Sequence, residues 1–141
     1  IGFKYQMTDL GACLLLESLK EFSKISLHRK KIFNIYAKKL KKNKFIKIIN
    51  EIGNFTHSTW LFTIITEKKD YLQKKLRLAK IESNQVHFRN DRYSIFKNFV
   101  KNKRFPNMDF VEKKYLVLPV HTKMTIADAH YVANMVNKIL T

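Results

Sequence analysis

The sequence predicts one α+β domain over residues 1–141, and three observations carry that reading. Apolar residues recur at three- and four-residue spacing near both ends of the chain, as they do on helices with one inward face. Between them stand short segments of strand character, separated by turn residues and a helical stretch. A 45% hydrophobic and 13% aromatic composition over 141 residues supplies a core of domain size and excludes disorder. The expected architecture is an open, mainly antiparallel sheet covered by helices.

The first helix should run from about Thr8 to Phe22. Thr8 or Asp9 can cap it by accepting from free N–H groups of its first turn. Leu10, Ala12, Cys13, Leu14, Leu15, Leu16 and Leu19 surround this helix, so it should be buried on most sides, within the domain or against a second subunit. Cys13, the only cysteine, cannot form an internal disulfide and is expected to pack rather than react. A second helix should take over near Ser23 and reach about Asn43, with Ile25, His28, Ile32, Ile35, Tyr36 and Leu40 inward and most lysines on its other faces. His28 lies on the apolar stripe, where a packed histidine is the simpler reading than a ligand.

Phe45 to Ile49 reads as a short strand closed by the Gly53-Asn54 turn signal. Thr59 to Thr66 shows little polar alternation and should be a strand buried on both faces. A helix from about Lys69 to Ala79, with Leu72, Leu76 and Ala79 inward, leads to a return strand near Glu82 to Phe88. Tyr93 to Phe99 should be a short helix with Ile95, Phe96 and Phe99 inward, Pro106 a turn, and Asp109 to Lys113 one or two helical turns. Tyr115 to Leu118 is a last strand ended by Pro119. Thr125 caps the final helix, with Asp128 in its first turn and Ala129, Val132, Ala133, Val136, Ile139 and Leu140 along one side.

A net charge of +17 raises the possibility of a polyanion partner such as nucleic acid. Against it, 23 of the 28 basic residues are lysine, whereas base and phosphate recognition favours the bidentate arginine fork. The lysines are also spread along helix faces and loops, which points first to a solvated surface and second to the attraction of an anionic substrate. No specific nucleic-acid partner is expected. The longest apolar runs fall far short of the ~20 residues that span a bilayer, and no leader pattern opens the chain. A cytoplasmic protein without a membrane partner is expected. Five scattered histidines and one cysteine give no metal pattern.

Gly2, Phe3, Lys4, Tyr5, Gln6, Met7, Thr8 and Asp9, with Ala12 following, resemble a signature of the pyridoxal-phosphate-dependent DegT/DnrJ/StrS sugar aminotransferases, which reads roughly G-(Y/F)-x-Y-x-(M/L)-(S/T)-D-x-x-A-A. LHRKKIFNIYAKKL resembles the family's R-R-x-x-A-x-x-Y-x-x-x-L helix, VHF its strand ending in H-(Y/F), and LVLPVHTKMTIADAHYV its L-x-L-P-x-x-x-x-M-T-x-x-D-x-x-x-V close. The ordered set spans essentially the whole chain. It implies the small C-terminal domain of a fold-type I enzyme, one that moves an amino group from a donor, glutamate, onto a keto sugar of a nucleotide-sugar. Such enzymes serve deoxyamino sugar and surface polysaccharide synthesis.

In such enzymes a lysine holds pyridoxal 5'-phosphate as a Schiff base, in an S-F-x-x-x-K segment upstream of the glycine-tyrosine signature. This chain has no such segment, so the large cofactor-binding domain is expected elsewhere, no catalytic residue is assigned here, and the chain alone should be inactive. The resemblance assigns Lys4, Tyr5 and Gln6 to the cofactor phosphate of the neighbouring subunit in a homodimer, Gln6 standing where the family has Asn or Arg. Polar donors beside a helix N-terminus suit an anion, although the three could also simply pack. His87, Arg89, Asn90, Asp91 and Arg92, expected just past a strand end, form the candidate substrate site or else a structural salt-bridge cluster. His121 is read as loop surface.

Overall fold

A computed structural model describes residues 6–49 and 57–141. In chain order the elements are α1 (Asp9–Leu40), β1 (Lys47–Ile48), β2 (Phe62–Ile65), α2 (Lys69–Leu78), two single 3-10 turns (Asn90–Arg92 and Ser94–Phe96), α3 (Lys97–Val100), α4 (Pro106–Glu112), β3 (Tyr115–Leu118) and α5 (Ile126–Ile139). The α+β architecture with a small open antiparallel sheet is therefore as expected. The Gly53-Asn54 turn lies outside the described residues.

The strands pair antiparallel in the order β1-β2-β3. Phe62 opposes Leu118 and Ile64 opposes Leu116, so these four face one way; all four are buried. Because side chains alternate across a strand, Thr63, Ile65, Tyr115 and Val117 face the other way. The first face carries the core. Ile32, Tyr36 and Leu40 of α1, Leu72 and Leu76 of α2, and Ala129, Val132, Ala133 and Val136 of α5 close over it. β2 thus alternates between buried and half-buried residues instead of being buried on both faces, since its second face is left to a cavity.

The anticipated break at Ser23 does not occur: α1 is a single helix of 32 residues. No proline or glycine follows Gly11 before Leu40, and a serine costs a helix only a few tenths of a kcal/mol, less than unpairing a turn of backbone. Thr8 is the cap, its hydroxyl accepting from the Gly11 N–H at 3.2 Å. The carboxy-terminal half of α1 has the expected stripe. It is pinned by His28, whose Nε2 lies 2.8 Å from the Met124 carbonyl, and by Tyr36, whose hydroxyl donates to the Pro119 carbonyl at 2.9 Å. The amino-terminal half is different. Leu10, Leu14, Leu16, Leu19 and Phe22 are 56–72% exposed and Cys13 is exposed too, so burial of this helix inside the domain, and packing of Cys13 there, are not found.

The strand anticipated over Glu82 to Phe88 is also absent. One bridge, Asn84 to Val117, is all that pairs with β3. Neighbouring side chains intercept the segment's carbonyls and amides: Gln73 donates to the Ser83 carbonyl at 2.8 Å, and the Tyr115 hydroxyl takes the His87 backbone. The Tyr93 to Phe99 stretch folds as a 3-10 turn and α3, but Ile95, Phe96 and Phe99 are 41–72% exposed, not inward. Pro106 opens α4 at its first position, where its missing N–H is an orphan donor anyway.

β3 and α5 match their expected bounds. At α5 the Thr125 hydroxyl accepts from the Asp128 N–H, and the Asp128 carboxylate accepts from the Thr125 N–H at 2.8 Å and from its hydroxyl. Those donors hold the Asp128 carboxyl below the usual aspartate range, backbone first. Thr125→Ala should cost about 1 kcal/mol, read as a lower urea midpoint at unchanged slope; an unchanged midpoint would mean the box carries no stability. Among the described residues no helix is long and apolar enough to cross a membrane.

Candidate functional site

The segment between α2 and β3 crosses the free face of the sheet and encloses a cavity of about 930 Å³. Its floor is the alternate face of the strands, Thr63 and Ile65 with Tyr115 and Val117. Its walls are mainly apolar, from Val86, Phe88, Phe96, Phe105 and Met108, and its polar rim is His87, Arg89, Asn90, Asp91 and Glu112. The volume lies in the range of small-ligand pockets, about 300–1,000 Å³. A few convergent polar groups on an apolar cleft is the usual composition of such sites.

The rim is held by one buried cation. Arg89 is 6% exposed at its side chain and binds Asp91 in a bidentate fork, Nε to Oδ1 at 2.8 Å and Nη2 to Oδ2 at 2.7 Å. Its Nη1 reaches across to Asp109 of α4 and lies 3.4 Å from Glu112 Oε2. Arg92 Nη2 meets the same Glu112 oxygen at 2.5 Å. A planar guanidinium between carboxylates from two elements fixes their relative position as a point charge could not. Hydrogen bonding to Asp91, then to Asp109, pushes the Arg89 pKa further up, and Arg89 in turn holds the Asp91 carboxyl below its ordinary range.

Asp91 is the more acidic in the folded chain, so its stabilising contribution is present above about 3.9, the ordinary aspartate value, and is lost as pH falls through its lowered pKa. Thermal unfolding followed from neutral to acid pH should show wild type losing more stability than Asp91→Asn. Parallel curves would show that the pair stabilises nothing.

Of the expected substrate residues, His87, Arg89, Asn90 and Asp91 line this cavity, whereas Arg92 does not line it and pairs with the rim residue Glu112. His87 is exposed, its backbone clamped by Tyr115, whose hydroxyl accepts from His87 N at 3.3 Å and donates to its carbonyl at 3.1 Å. The Trp60 ring lies 5.7 Å from the His87 ring. Asn90 and Arg92 are exposed, whereas Arg89 and Asp91 are engaged with each other. The salt-bridge description of this cluster therefore applies to Arg89, Asp91 and Arg92, while His87 and Asn90 are exposed on the cavity rim. Asp109 and Glu112 also belong to the cluster, and neither is among the site residues expected from the sequence. Their three-residue spacing on one helix face was the available signal.

At the other end of the chain, Gln6 is exposed two residues before the α1 cap and does not line the cavity; Lys4 and Tyr5 lie outside the described residues. His121 is exposed, as expected.

Residues 1–137 match the DegT/DnrJ/EryC1/StrS aminotransferase family. A UDP-4-amino-4,6-dideoxy-N-acetyl-beta-L-altrosamine transaminase of Campylobacter jejuni is 26% identical over 145 aligned residues, covering 99% of this chain and 39% of that protein. The sugar aminotransferase CalS13 from Micromonospora echinospora superposes with a TM-score of 0.87 at 18% identity, over 97% of this chain and 37% of its own. The putative sugar aminotransferase Spr1654 from Streptococcus pneumoniae, in its PLP-form, superposes at 0.80 with 22% identity, over 96% and 37%. The chain spans about two fifths of the length of these relatives.

Proposed function

Because this chain belongs to the DegT/DnrJ/EryC1/StrS aminotransferase family, we propose that it is the C-terminal, sugar-facing part of a pyridoxal-phosphate-dependent transaminase. The reaction moves an amino group from glutamate onto the keto group of a nucleotide-linked sugar, for deoxyamino sugar or surface polysaccharide synthesis. The observation that carries the reading is the cavity on the free face of the sheet, with the exposed donors His87 and Asn90 on its rim and Arg92 paired with Glu112 beside it. These three donors bind and orient the sugar and its phosphates. Arg89 and Asp91 act through them, as positioning residues.

Pyridoxal phosphate, when bound, supplies the electron sink for amino transfer. Its anchoring lysine and most of its cradle are assigned to a preceding large domain. Gln6 fits its phosphate, with its amide exposed beside the positive end of a 32-residue helix. We assign Lys4, Tyr5 and Gln6 to that phosphate. Mixed with the cofactor, glutamate and a nucleotide-linked keto sugar, the chain by itself should show no transaminase turnover; a saturable one-to-one cofactor adduct with turnover would contradict the assignment.

The exposed leucines of α1 favour a homodimer. Leu10, Leu14, Leu16, Leu19 and Phe22 make the amino-terminal half of α1 apolar on several sides without a cover among the described residues, and such a surface is one that association buries. A two-fold dimer would carry the segment before α1 to the neighbouring subunit's site. The test mixes a Gln6→Ala subunit with one lacking the anchoring lysine and measures cofactor retention and rate in the heterodimer. The composite site predicts that the Gln6 defect appears in the opposite subunit's site. Both defects mapping to their own subunit would exclude it. A cytoplasmic location suits the exposed Cys13 thiol.

The net charge of +17 favours a second reading, a basic nucleic-acid-binding module. A salt titration against duplex DNA and RNA separates the two. Weak binding lost as salt rises is counterion release and is expected of any such surface, whereas a near-stoichiometric complex at physiological salt would overturn the transaminase reading.

A further inference from the structure

Beside the apolar cavity, across the Arg89 network, lies a second cavity of about 520 Å³ lined by Arg92, Lys103, Arg104, Phe105, Pro106 and the network itself. Arg89, Asp91 and Phe105 line both cavities, so the two share a wall. The second carries four cations and two carboxylates, and both carboxylates are already engaged by Arg89. Arg92 has Glu112, but among the described residues Lys103 and Arg104 have no carboxylate within ion-pair distance. Positive charge is therefore in excess in a concave, partly walled space, where its attraction for an anion exceeds that of scattered surface lysines. The two side chains are also placed by a fixed turn. Asn102 sits at φ 66°, a left-handed conformation that asparagine tolerates, and the Lys103 N–H donates to the Val100 carbonyl at 2.9 Å.

We propose that Lys103 and Arg104, with Arg92, form an anion site for the diphosphate of the nucleotide-sugar, from which the sugar end enters the adjoining apolar cavity with His87 and Asn90 on its rim. Arg104 supplies a fork that can bind two phosphate oxygens, Lys103 a mobile point charge, and Phe105 the wall between the charged and apolar compartments. The ligand's identity rests on the transaminase reading; the anion site does not.

Calorimetric titration of the chain with uridine diphosphate, pyrophosphate and uridine, at physiological salt, tests it. Uridine diphosphate should bind, pyrophosphate should compete with it, and the double variant K103A/R104A should weaken both by about tenfold or more. Uridine alone should be little affected by that variant. The control variant K30A/K31A removes the same charge from the exposed outer face of α1 and should leave affinity unchanged. Equal losses in the two variants, or no binding of pyrophosphate, would overturn the site. In the complete enzyme, K103A/R104A should raise KM for the nucleotide-sugar. Binding at Arg104 without turnover on any nucleotide-sugar would leave the anion site standing and sink the transaminase reading. Turnover with KM unchanged in the variant would do the reverse.

Discussion

Phe62→Ala should destabilise the chain by about 3–5 kcal/mol, the range for emptying a well-packed aromatic site. Phe62 is fully buried at the start of β2, opposite Leu118, and its ring meets Phe33 edge-on at 4.7 Å and Tyr36 at 5.0 Å. Both partners belong to α1, so the ring joins the helix layer to the sheet. A domain of this size has about 5–15 kcal/mol in all, and the variant would lose a large part of it. Thr63 and Ile65, on the same strand, floor the apolar cavity, so any shift of β2 into the void also reshapes the site. Urea unfolding gives the number. A loss below about 1 kcal/mol would show that the sheet is not packed on α1 as described.

Arg92→Ala should raise the KM for the nucleotide-sugar about ten- to a hundredfold in the complete enzyme, the cost of one charged contact to a bound anion. His87→Ala should raise it several-fold, as expected for a neutral hydrogen bond worth about 0.5–1.5 kcal/mol. Neither should change cofactor loading, because neither is assigned to the cofactor. Arg89→Gln should differ in kind. It removes the cation that joins Asp91 to Asp109, so it should lower the unfolding midpoint as well as raise KM. If Arg92→Ala and His87→Ala instead released the cofactor with KM unchanged, the rim would belong to the cofactor and not the sugar.

The locally encoded features were the readable ones. Tyr115 to Leu118 is bounded by proline and turn residues, the Thr125/Asp128 box is complete within four residues, and the Ile32, Tyr36, Leu40 stripe recurs at helical spacing. Ser23 was misread because a polar residue between apolar stretches looks like a junction, while the cost of breaking a helix backbone there is not visible in residue types. Glu82 to Phe88 has strand-like ends, but its pairing is preempted by Gln73 and Tyr115, which come from distant positions. The candidate site was legible as a cluster and illegible as a mechanism. Nothing near Arg89 in the sequence announces that its charge is met by Asp109 and Glu112, twenty or more residues away. The outward phenylalanines and leucines looked like core because composition records how apolar a segment is, not which molecule covers it.

The most direct measurement is amino transfer by the complete enzyme from ¹⁵N-labelled glutamate to nucleotide-linked keto sugars, with the product nitrogen followed by mass spectrometry. The transaminase account predicts label on the sugar carbon that bore the keto group, with nucleotide and phosphates intact. No label on any nucleotide-sugar from enzyme fully loaded with cofactor would contradict it.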